Sequence, residues 1–193
     1  MHARLHAIEA RSRANGPGVR TVVWFQGCTL GCVGCFNPAT HPTMGGTASD
    51  IIDTVDTIVA GLTGAAAAGI DGLTLSGGEP MQQIDAAIVL LAAARIAGLS
   101  TLMFSGYTIE EIQVLPRGTE ALALLDVLID GRYRSELRLG QGLRGSSNQR
   151  VHLLSNRYTT RDIDEAPLGE VRIAPNGEVI LTGVTPLRLK PTK

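Results

Sequence analysis

The chain has 193 residues, 44% of them hydrophobic and 18% charged, which is enough for one domain with a substantial core. Its formal net charge of -1 gives no sign of nucleic-acid binding or of attraction to an anionic membrane. The longest apolar run, 86–94, is far shorter than the about 20 residues of a membrane helix, and the amino terminus has no signal-peptide core. Because the cysteines cluster and do not form a disulfide framework, we expect a cytoplasmic protein.

The amino-terminal part predicts one strand and one helix on either side of the cysteines. Asn-Gly-Pro-Gly at 15–18 is a turn signal, and the apolar run at 21–25 predicts the first strand. These glycines precede a strand and do not open a helix, so they do not match a phosphate-binding loop. Thr47 and Asp50 form a capping-box pattern, which predicts a helix that runs through the alanine-rich stretch and ends at Gly69.

Strands and helices alternate through the centre of the chain. Predicted strands at 72–76, 101–104 and 127–130 are separated by predicted helices at 82–97, from Thr108 onward and at 119–125. This alternation is typical of a parallel sheet with right-handed crossovers. A closed eight-unit barrel needs about 250 residues, so we expect an α/β fold in the form of a partial, open (β/α) barrel.

The carboxyl-terminal third is less regular. We expect 131–150 to be a long functional loop and 151–154 to be a fifth strand. The segments 170–174 and 178–182 flank Pro-Asn-Gly, which predicts a C-terminal hairpin. We expect residues 1–193 to form a single domain, with a core at about 15–155 and a C-terminal extension at about 156–193.

All three cysteines lie in the loop after the first predicted strand, at the spacing Cys-x3-Cys-x2-Cys. A cubane iron-sulfur cluster normally takes four thiolates, one for each iron, so Cys28, Cys32 and Cys35 leave one iron open to another ligand. The alternative is a structural zinc site in which His41 completes a Cys3His set. The sequence therefore predicts a metal centre in this loop.

Further polar and glycine-rich segments follow the other predicted strands. Ser-Gly-Gly-Glu-Pro at 76–80 lies at the end of the second predicted strand, and Ser105 follows the third. Asp130 is the last residue of the fourth. The carboxyl ends of parallel strands share one edge of the sheet, so we expect these segments and the cysteine loop at the same rim. Gly77 and Gly78 allow a close approach of ligand to backbone, although a strand-to-helix turn with Pro80 in its first helical position explains the same residues.

The cysteine spacing directly after an apolar strand, followed by Ser-Gly-Gly-Glu-Pro, resembles the radical S-adenosylmethionine (SAM) superfamily. The resemblance implies one 4Fe-4S cluster on the three cysteines, with SAM on the fourth iron and its amino end at the glycine loop. It implies reductive cleavage of SAM to methionine and a 5'-deoxyadenosyl radical. Many members place an aromatic residue before the third cysteine, where this chain has Gly34.

Four segments of the sequence narrow the resemblance to one branch of the superfamily. The chain is similar to the activating proteins of anaerobic ribonucleotide reductases in these segments, in this order: GPGVRTVVWFQGC, CVGCFNPATH, DVLIDGRY and LRGSSNQR. The resemblance implies that the radical takes a hydrogen atom from one glycine of the large reductase subunit and leaves a glycyl radical there. The implied partners are that subunit and reduced flavodoxin or ferredoxin as electron donor, with no nucleic acid and no membrane.

Other cofactor contacts have two interpretations each. Glu79 either caps the next helix or orients the glycine loop, and Asp130 is either a SAM ribose contact or a solvated strand end. Asn148, beside Gln149, either contacts the cofactor or partner or lies in an exposed turn, and Ser105 is a further candidate. Five arginines in the 131–150 segment are candidates for partner docking: Arg132, Arg134, Arg138, Arg144 and Arg150. We expect no catalytic side chain, because the cofactor supplies the reactivity.

Two other functions stay open at this point. A radical SAM enzyme that acts on a small molecule or peptide has the same cysteine and glycine motifs. A non-catalytic zinc or iron-sulfur binding module has the cysteines alone.

Overall fold

The fold is built on a seven-stranded mixed sheet, seen in a computed structural model that describes residues 2–50, 69–173 and 176–184. The strands are β1 (His2–Ser12), β2 (Arg20–Phe25), β3 (Thr47–Asp50), β4 (Gly72–Gly77), β5 (Ser100–Ser105), β6 (Val127–Asp130), β7 (Arg138–Gln141), β8 (Arg144–Ser146), β9 (Arg150–Leu153), β10 (Glu170–Ile173) and β11 (Val179–Thr182). The main sheet has the order β3-β1-β2-β4-β5-β6-β9, while β7 pairs with β8 and β10 with β11.

The centre of the main sheet is parallel, as predicted. β2, β4, β5 and β6 pair in parallel, with Phe25 opposite Gly77 and Ser105 opposite Asp130. Their carboxyl ends are therefore aligned at one edge. Both flanks are antiparallel, since β1 pairs with β2 and β3, and β9 pairs with β6. The fold is therefore mixed α/β around a parallel centre.

Within the described residues, four short to medium helices connect the strands: α1 (Ile84–Ile96), α2 (Ile109–Val114), α3 (Gly118–Ala123) and α4 (Thr160–Asp164). A 3-10 turn at Pro80–Gln83 precedes α1, and α2 begins at the predicted capping box of Thr108 and Glu111. Successive strand residues point to opposite faces, so Met103 packs in the larger core with α1, while Leu102 packs in a second cluster on the other face. No helix in the described part of the chain is long and apolar enough to span a membrane.

The amino ends of the parallel strands are closed by Arg20, whose side chain is fully buried. It donates to Thr74 Oγ1 at 2.7 Å, to the Leu73 carbonyl at 2.7 Å and to Ser100 Oγ at 2.9 Å. Burial lowers the pKa of this guanidinium. A Cβ at Gly72 would lie 2.4 Å from Arg20 Nη1, so a glycine is needed there to make room for the arginine.

Several predicted elements differ from the structure. Thr47–Asp50 is a strand and not the start of a helix, because its backbone pairs with residues 2–5 of β1, a strand that the sequence did not predict. The rest of that predicted helix lies outside the described residues. The 131–150 segment is not one irregular loop, since it holds a 3-10 turn at Ser135–Leu137 and the pair β7–β8. The predicted fifth strand is present but antiparallel, and the predicted C-terminal hairpin is confirmed.

Candidate active site

A cavity of about 450 Å³ lies at the carboxyl ends of the parallel strands. Part of its lining comes from the carboxyl ends of all four strands: the cysteine loop after β2, residues 76–79 at the end of β4, residues 105–106 at the end of β5, and Gly131 after β6. This volume is in the range of about 300–1,000 Å³ that is usual for small-molecule sites. The sheet thus brings the predicted motifs together, because its parallel register aligns the strand ends.

Cys28, Cys32 and Cys35 all line this cavity as free, partly buried thiols. The loop is closed at its base by backbone hydrogen bonds from Gly27 N to Thr40 O at 2.7 Å and from Cys28 N to His41 O at 3.1 Å. Burial raises the pKa of the Cys28 and Cys35 thiols. Since metal coordination deprotonates a thiol, binding of a cation would offset the effect of burial at Cys28 and Cys35.

The donor set fits an iron-sulfur cluster. In a cubane, each thiolate binds a different iron, so the sulfur atoms do not converge on one point. Among residues 2–50, 69–173 and 176–184, no group of three or more His, Cys, Asp or Glu side chains is arranged to hold a single metal ion. His41 lines the cavity beside the cysteines.

The glycine loop is tied directly to the cysteine loop. Gly78 N donates to Phe25 O at 2.7 Å, and Glu79 N donates to Gly27 O at 2.9 Å. A Cβ at Gly77 would lie 2.4 Å from Phe25 N, and one at Gly78 would lie 2.3 Å from Gly27 O. Both residues also line the cavity. Their small size is therefore required by the neighbouring backbone, whatever ligand the cavity binds.

Glu79 is a buried carboxylate at the rim, and it acts as a cap, which is one of its two predicted interpretations. It caps the 3-10 turn by accepting from Met81 N at 2.9 Å, and it accepts from Ser105 Oγ at 2.8 Å and Gly106 N at 2.7 Å. Burial raises its pKa to about 7, although these three donors oppose the shift. Glu79 therefore links the loops after β4 and β5, and the Ser105 hydroxyl is engaged in this link.

Asp130 lies behind the rim and does not line the cavity. Its buried carboxylate accepts from Arg150 Nη2 at 2.6 Å and from Ile109 N at 2.7 Å, and His152 Nε2 lies 3.0 Å away. Burial raises the pKa of Asp130, but these groups outweigh burial and leave it below its ordinary value. Asp130 is therefore a partnered carboxylate that holds β6, α2 and β9 together, and it is not a solvated strand end.

The GSSNQR segment lines the cavity with Gly145 and Gln149. Asn148 is exposed and donates to the Arg132 carbonyl at 2.8 Å, whereas Gln149 lines the cavity. Gln149 Oε1 accepts from Gly145 N at 2.9 Å, and its amide donates to Gly131 O at 3.0 Å. Asn148 is thus separated from the cavity, and Gln149 fixes the turn at its edge.

The arginines of this segment have different surroundings. Arg132 pairs with Glu111 at 2.9 Å, and Arg150 pairs with Glu110 at 2.7 Å in addition to Asp130. The Arg138 guanidinium lies 5.2 Å from the centre of the Phe36 ring. Ion pairing within the chain therefore neutralises part of the positive charge that the sequence shows here.

Two parts of the lining were missed by the sequence analysis. Phe36, directly after the third cysteine, packs on Tyr133 with ring centroids 4.4 Å apart, and both rings line the cavity. Residues 180–184 of the C-terminal hairpin form a further wall. The position of Phe36 beside Cys35 was a usable signal, whereas nothing local in the hairpin points to the cavity.

Comparisons with known proteins agree with this site. Residues 14–152 match the family model described as "4Fe-4S single cluster domain". The chain is 33% identical over 141 residues to the anaerobic ribonucleoside-triphosphate reductase-activating protein of Enterobacteria phage T4, covering 71% of this chain and 85% of the phage protein. It is 36% identical over 102 residues to a pyruvate formate-lyase-activating enzyme of Listeria monocytogenes, covering 53% of this chain and 41% of that enzyme. The solved structure of QueE from Escherichia coli has a TM-score of 0.43 and 16% identity, covering 56% of this chain and 54% of that one. The chain belongs to the single-cluster 4Fe-4S domain family and, within it, to the radical SAM activating enzymes of glycyl radical enzymes.

Proposed function

We propose that this chain installs a glycyl radical on the large subunit of an anaerobic ribonucleotide reductase. The observation that supports it most is that three thiols without a fourth line the same cavity as the glycine loop. The relative with this activity in its name is covered over 85% of its length, whereas the pyruvate formate-lyase-activating enzyme is covered over only 41%. This difference favours the reductase over pyruvate formate-lyase as the partner.

Cys28, Cys32 and Cys35 would bind three irons of the cluster, which leaves the fourth for SAM. When bound, the reduced cluster and SAM together supply the radical chemistry that removes a hydrogen atom from the substrate glycine. Gly77 and Gly78 would present their carbonyl groups to the amino end of SAM. The rest of the chain positions these groups and limits the access of water.

The other predicted site residues would position the cofactor-binding loops through hydrogen bonds and ion pairs. Glu79 and Ser105 would hold the end of the glycine loop through the hydrogen bond that Ser105 Oγ donates to Glu79 Oε1. Asp130 would fix the end of β6 through Arg150, and Asn148 would fix the neighbouring turn through its bond to the Arg132 carbonyl. Together they keep the cofactor side of the cavity rigid, as a site that controls a radical requires.

The same proposal includes the domain organisation, the electron donor and the location of the protein. All 193 residues would form one radical SAM domain with the curvature of a partial barrel, and a reduced flavodoxin or ferredoxin would deliver the electron in the cytoplasm. A small-molecule substrate is the alternative within the same chemistry.

The test is anaerobic incubation of the cluster-loaded chain with SAM, a reductant and the large reductase subunit from the same genome. The expected results are methionine, 5'-deoxyadenosine and a persistent glycine-centred doublet in the electron paramagnetic resonance spectrum of that subunit. SAM cleavage without a doublet would reject the reductase as substrate. One equivalent of zinc without sulfide in anaerobically purified protein would reject the radical mechanism itself.

A further inference from the structure

The cysteine loop has a cavity side and an outer side. All three cysteines line the cavity, whereas Val33 and Gly34, which lie between the last two of them, do not. Both residues are exposed, and the Val33 side chain is 82% exposed. A molecule that contacts the outer side therefore comes close to the cysteines without entering the cavity.

A 3-10 turn with an arginine on each side borders the outer side of the loop. A Cβ at Gly34 would lie 3.0 Å from the Cβ of Ser135, the first residue of this turn, so the turn and the cysteine loop are in contact. Arg134 precedes the turn and Arg138 follows it, and both are exposed. The Arg138 guanidinium lies 5.2 Å from the centre of the Phe36 ring, beside the third cysteine. Both arginines are therefore next to the cysteine loop.

These two arginines differ from their neighbour Arg132 in having no acidic partner. Arg132 is paired with Glu111, whereas neither Arg134 nor Arg138 forms an ion pair with a side chain of residues 2–50, 69–173 or 176–184. Two guanidinium groups stand here against one exposed carboxylate, Glu136, so the surface has a net positive charge in a chain whose formal net charge is -1. We call this surface the outer basic face: Gly34 and residues 134–138.

We propose that the outer basic face docks an acidic one-electron carrier protein, which delivers the electron to the cysteine loop from outside the cavity. This inference rests on the radical chemistry of the proposed function, because reductive cleavage of SAM consumes one electron. In the transfer the carrier is oxidised by one electron and the cluster is reduced by one, and no bond forms or breaks.

The position of the face favours a carrier over the substrate protein. In the proposed function, SAM and the substrate glycine occupy the cavity, so a carrier that entered there would compete with them. Neither Gly34 nor Arg134 lines the cavity. Gly34 is adjacent in sequence to Cys35, so a carrier on this face is close to a proposed cluster ligand. Its positive charge would steer an acidic protein to this side of the loop.

The test compares Arg134→Glu with Arg157→Glu in the full-length, cluster-loaded chain. Both substitutions reverse the charge of an exposed arginine, but Arg157 donates to Gly98 O at 3.1 Å, near the amino end of β5 and away from the cysteine loop. Reduced flavodoxin is the acidic carrier, and the second-order rate constant of cluster reduction is measured anaerobically by stopped-flow absorbance, without SAM. For Arg134→Glu we expect a fall of about ten-fold at low ionic strength, which shrinks as salt is added. Arg157→Glu should stay within about two-fold of the wild type.

Glu136→Lys changes the charge of the same turn in the opposite direction. We expect flavodoxin to reduce this variant about three-fold faster or more than the wild type, an increase that impaired folding cannot produce. Photoreduced 5-deazariboflavin, a small uncharged reductant, does not need a docking face. It should reduce all three variants within about two-fold of the wild-type rate, because none of the substitutions changes a cluster ligand.

Each other outcome contradicts the inference in a distinguishable way. Equal slowing of Arg134→Glu and Arg157→Glu would make the effect one of net charge, and a Glu136→Lys variant that is no faster would exclude charge steering at this face. Slow reduction of Arg134→Glu by 5-deazariboflavin as well would make the segment a structural support of the cysteine loop. Unchanged flavodoxin rates with weaker binding of the large reductase subunit would assign the face to the substrate protein.

The proposed function and the carrier site can fail separately, because cluster reduction is measured without SAM and without the reductase subunit. If the wild-type chain gives no glycyl radical with that subunit while the flavodoxin rates change as expected, the reductase is not the substrate and the carrier site stands. If flavodoxin does not reduce the wild-type chain but 5-deazariboflavin does and a glycyl radical then forms, the carrier site is wrong and the proposed function stands.

Discussion

The two ends of the parallel sheet each hold a buried charged side chain, with opposite consequences. At the amino ends, Arg20 donates to neutral oxygens of neighbouring strands. At the carboxyl ends, Glu79 accepts from neutral donors of neighbouring loops. Burial shifts the pKa of each toward its neutral form, downward for Arg20 and upward for Glu79. Arg20 closes its end of the sheet, whereas Glu79 holds loops around a cavity. The comparison indicates that fold stability and site geometry depend on separate polar clusters.

The largest expected effect is at the cavity end. Cys32→Ser removes one of three sulfur ligands, so we expect loss of the 4Fe-4S cluster and a fall in SAM cleavage of about 100-fold or more. Iron, sulfide and the spectrum of the reduced cluster are measured after anaerobic reconstitution. Val33→Ala is the matched control, because Val33 lies in the same loop and its side chain is 82% exposed. A full four-iron cluster in Cys32→Ser would contradict the ligand assignment.

The second prediction concerns the amino end. Arg20→Ala leaves several buried oxygens without their donor and creates a cavity, so we expect the free energy of unfolding to fall by about 3–5 kcal/mol. The midpoint of urea unfolding of the cluster-free chain measures this change.

Arg161→Ala serves as the control for that substitution, because the Arg161 side chain is 81% exposed and pairs with Glu165, the residue that follows α4. It should change the free energy of unfolding by less than about 0.5 kcal/mol. If the two variants unfold alike, Arg20 does not support the sheet as described.

The third prediction is that the free energy of unfolding depends on pH through the titration of Glu79. Its folded pKa of about 7 lies above the ordinary value of 4.5, so the folded chain binds this proton more tightly than the unfolded chain. The resulting stabilisation is complete below pH 4.5 and is lost as pH rises through 7. Relative to Glu79→Gln, the wild type should lose about 3 kcal/mol of unfolding free energy over this window. Urea unfolding of both cluster-free proteins at a series of pH values measures the difference, and a constant difference would show that Glu79 does not titrate there.

The smallest expected effect is at Gln82. Its side chain accepts from Thr29 N at 3.1 Å and donates to Thr29 Oγ1 at 2.8 Å and to Tyr107 OH at 3.2 Å. Because these bonds are exposed, Gln82→Ala should cost only about 1 kcal/mol and speed the loss of iron to a chelator by about two- to five-fold. Gln141→Ala, an exposed glutamine in β7, is the control. Equal rates of iron loss in the two variants would exclude Gln82 from fixing the cysteine loop.

The sequence predicted a helix or strand correctly where the residues that specify it are close together in the chain. The capping box of Thr108 and Glu111 starts a helix as predicted, but the similar pattern of Thr47 and Asp50 lies in a strand. In the second case, pairing with β1 overrides the local preference, and no signal near residue 47 reveals that partner. The two strands within 131–150 were missed for a different reason: they pair with each other, but Arg and Gly there carry no clear periodicity.

The sequence by itself determined the cysteine spacing, the glycine loop and the alternation of strands and helices, because each depends on neighbouring residues. Only the tertiary structure decided that Gln149 and not Asn148 lines the cavity, and that residues from 180 onward form a wall of it. These outcomes depend on contacts between distant parts of the chain, such as the bond between Asn15 and Thr182, which are 167 positions apart. Such contacts form only when the sheet sets the register of its strands, and the register is a property of the whole fold.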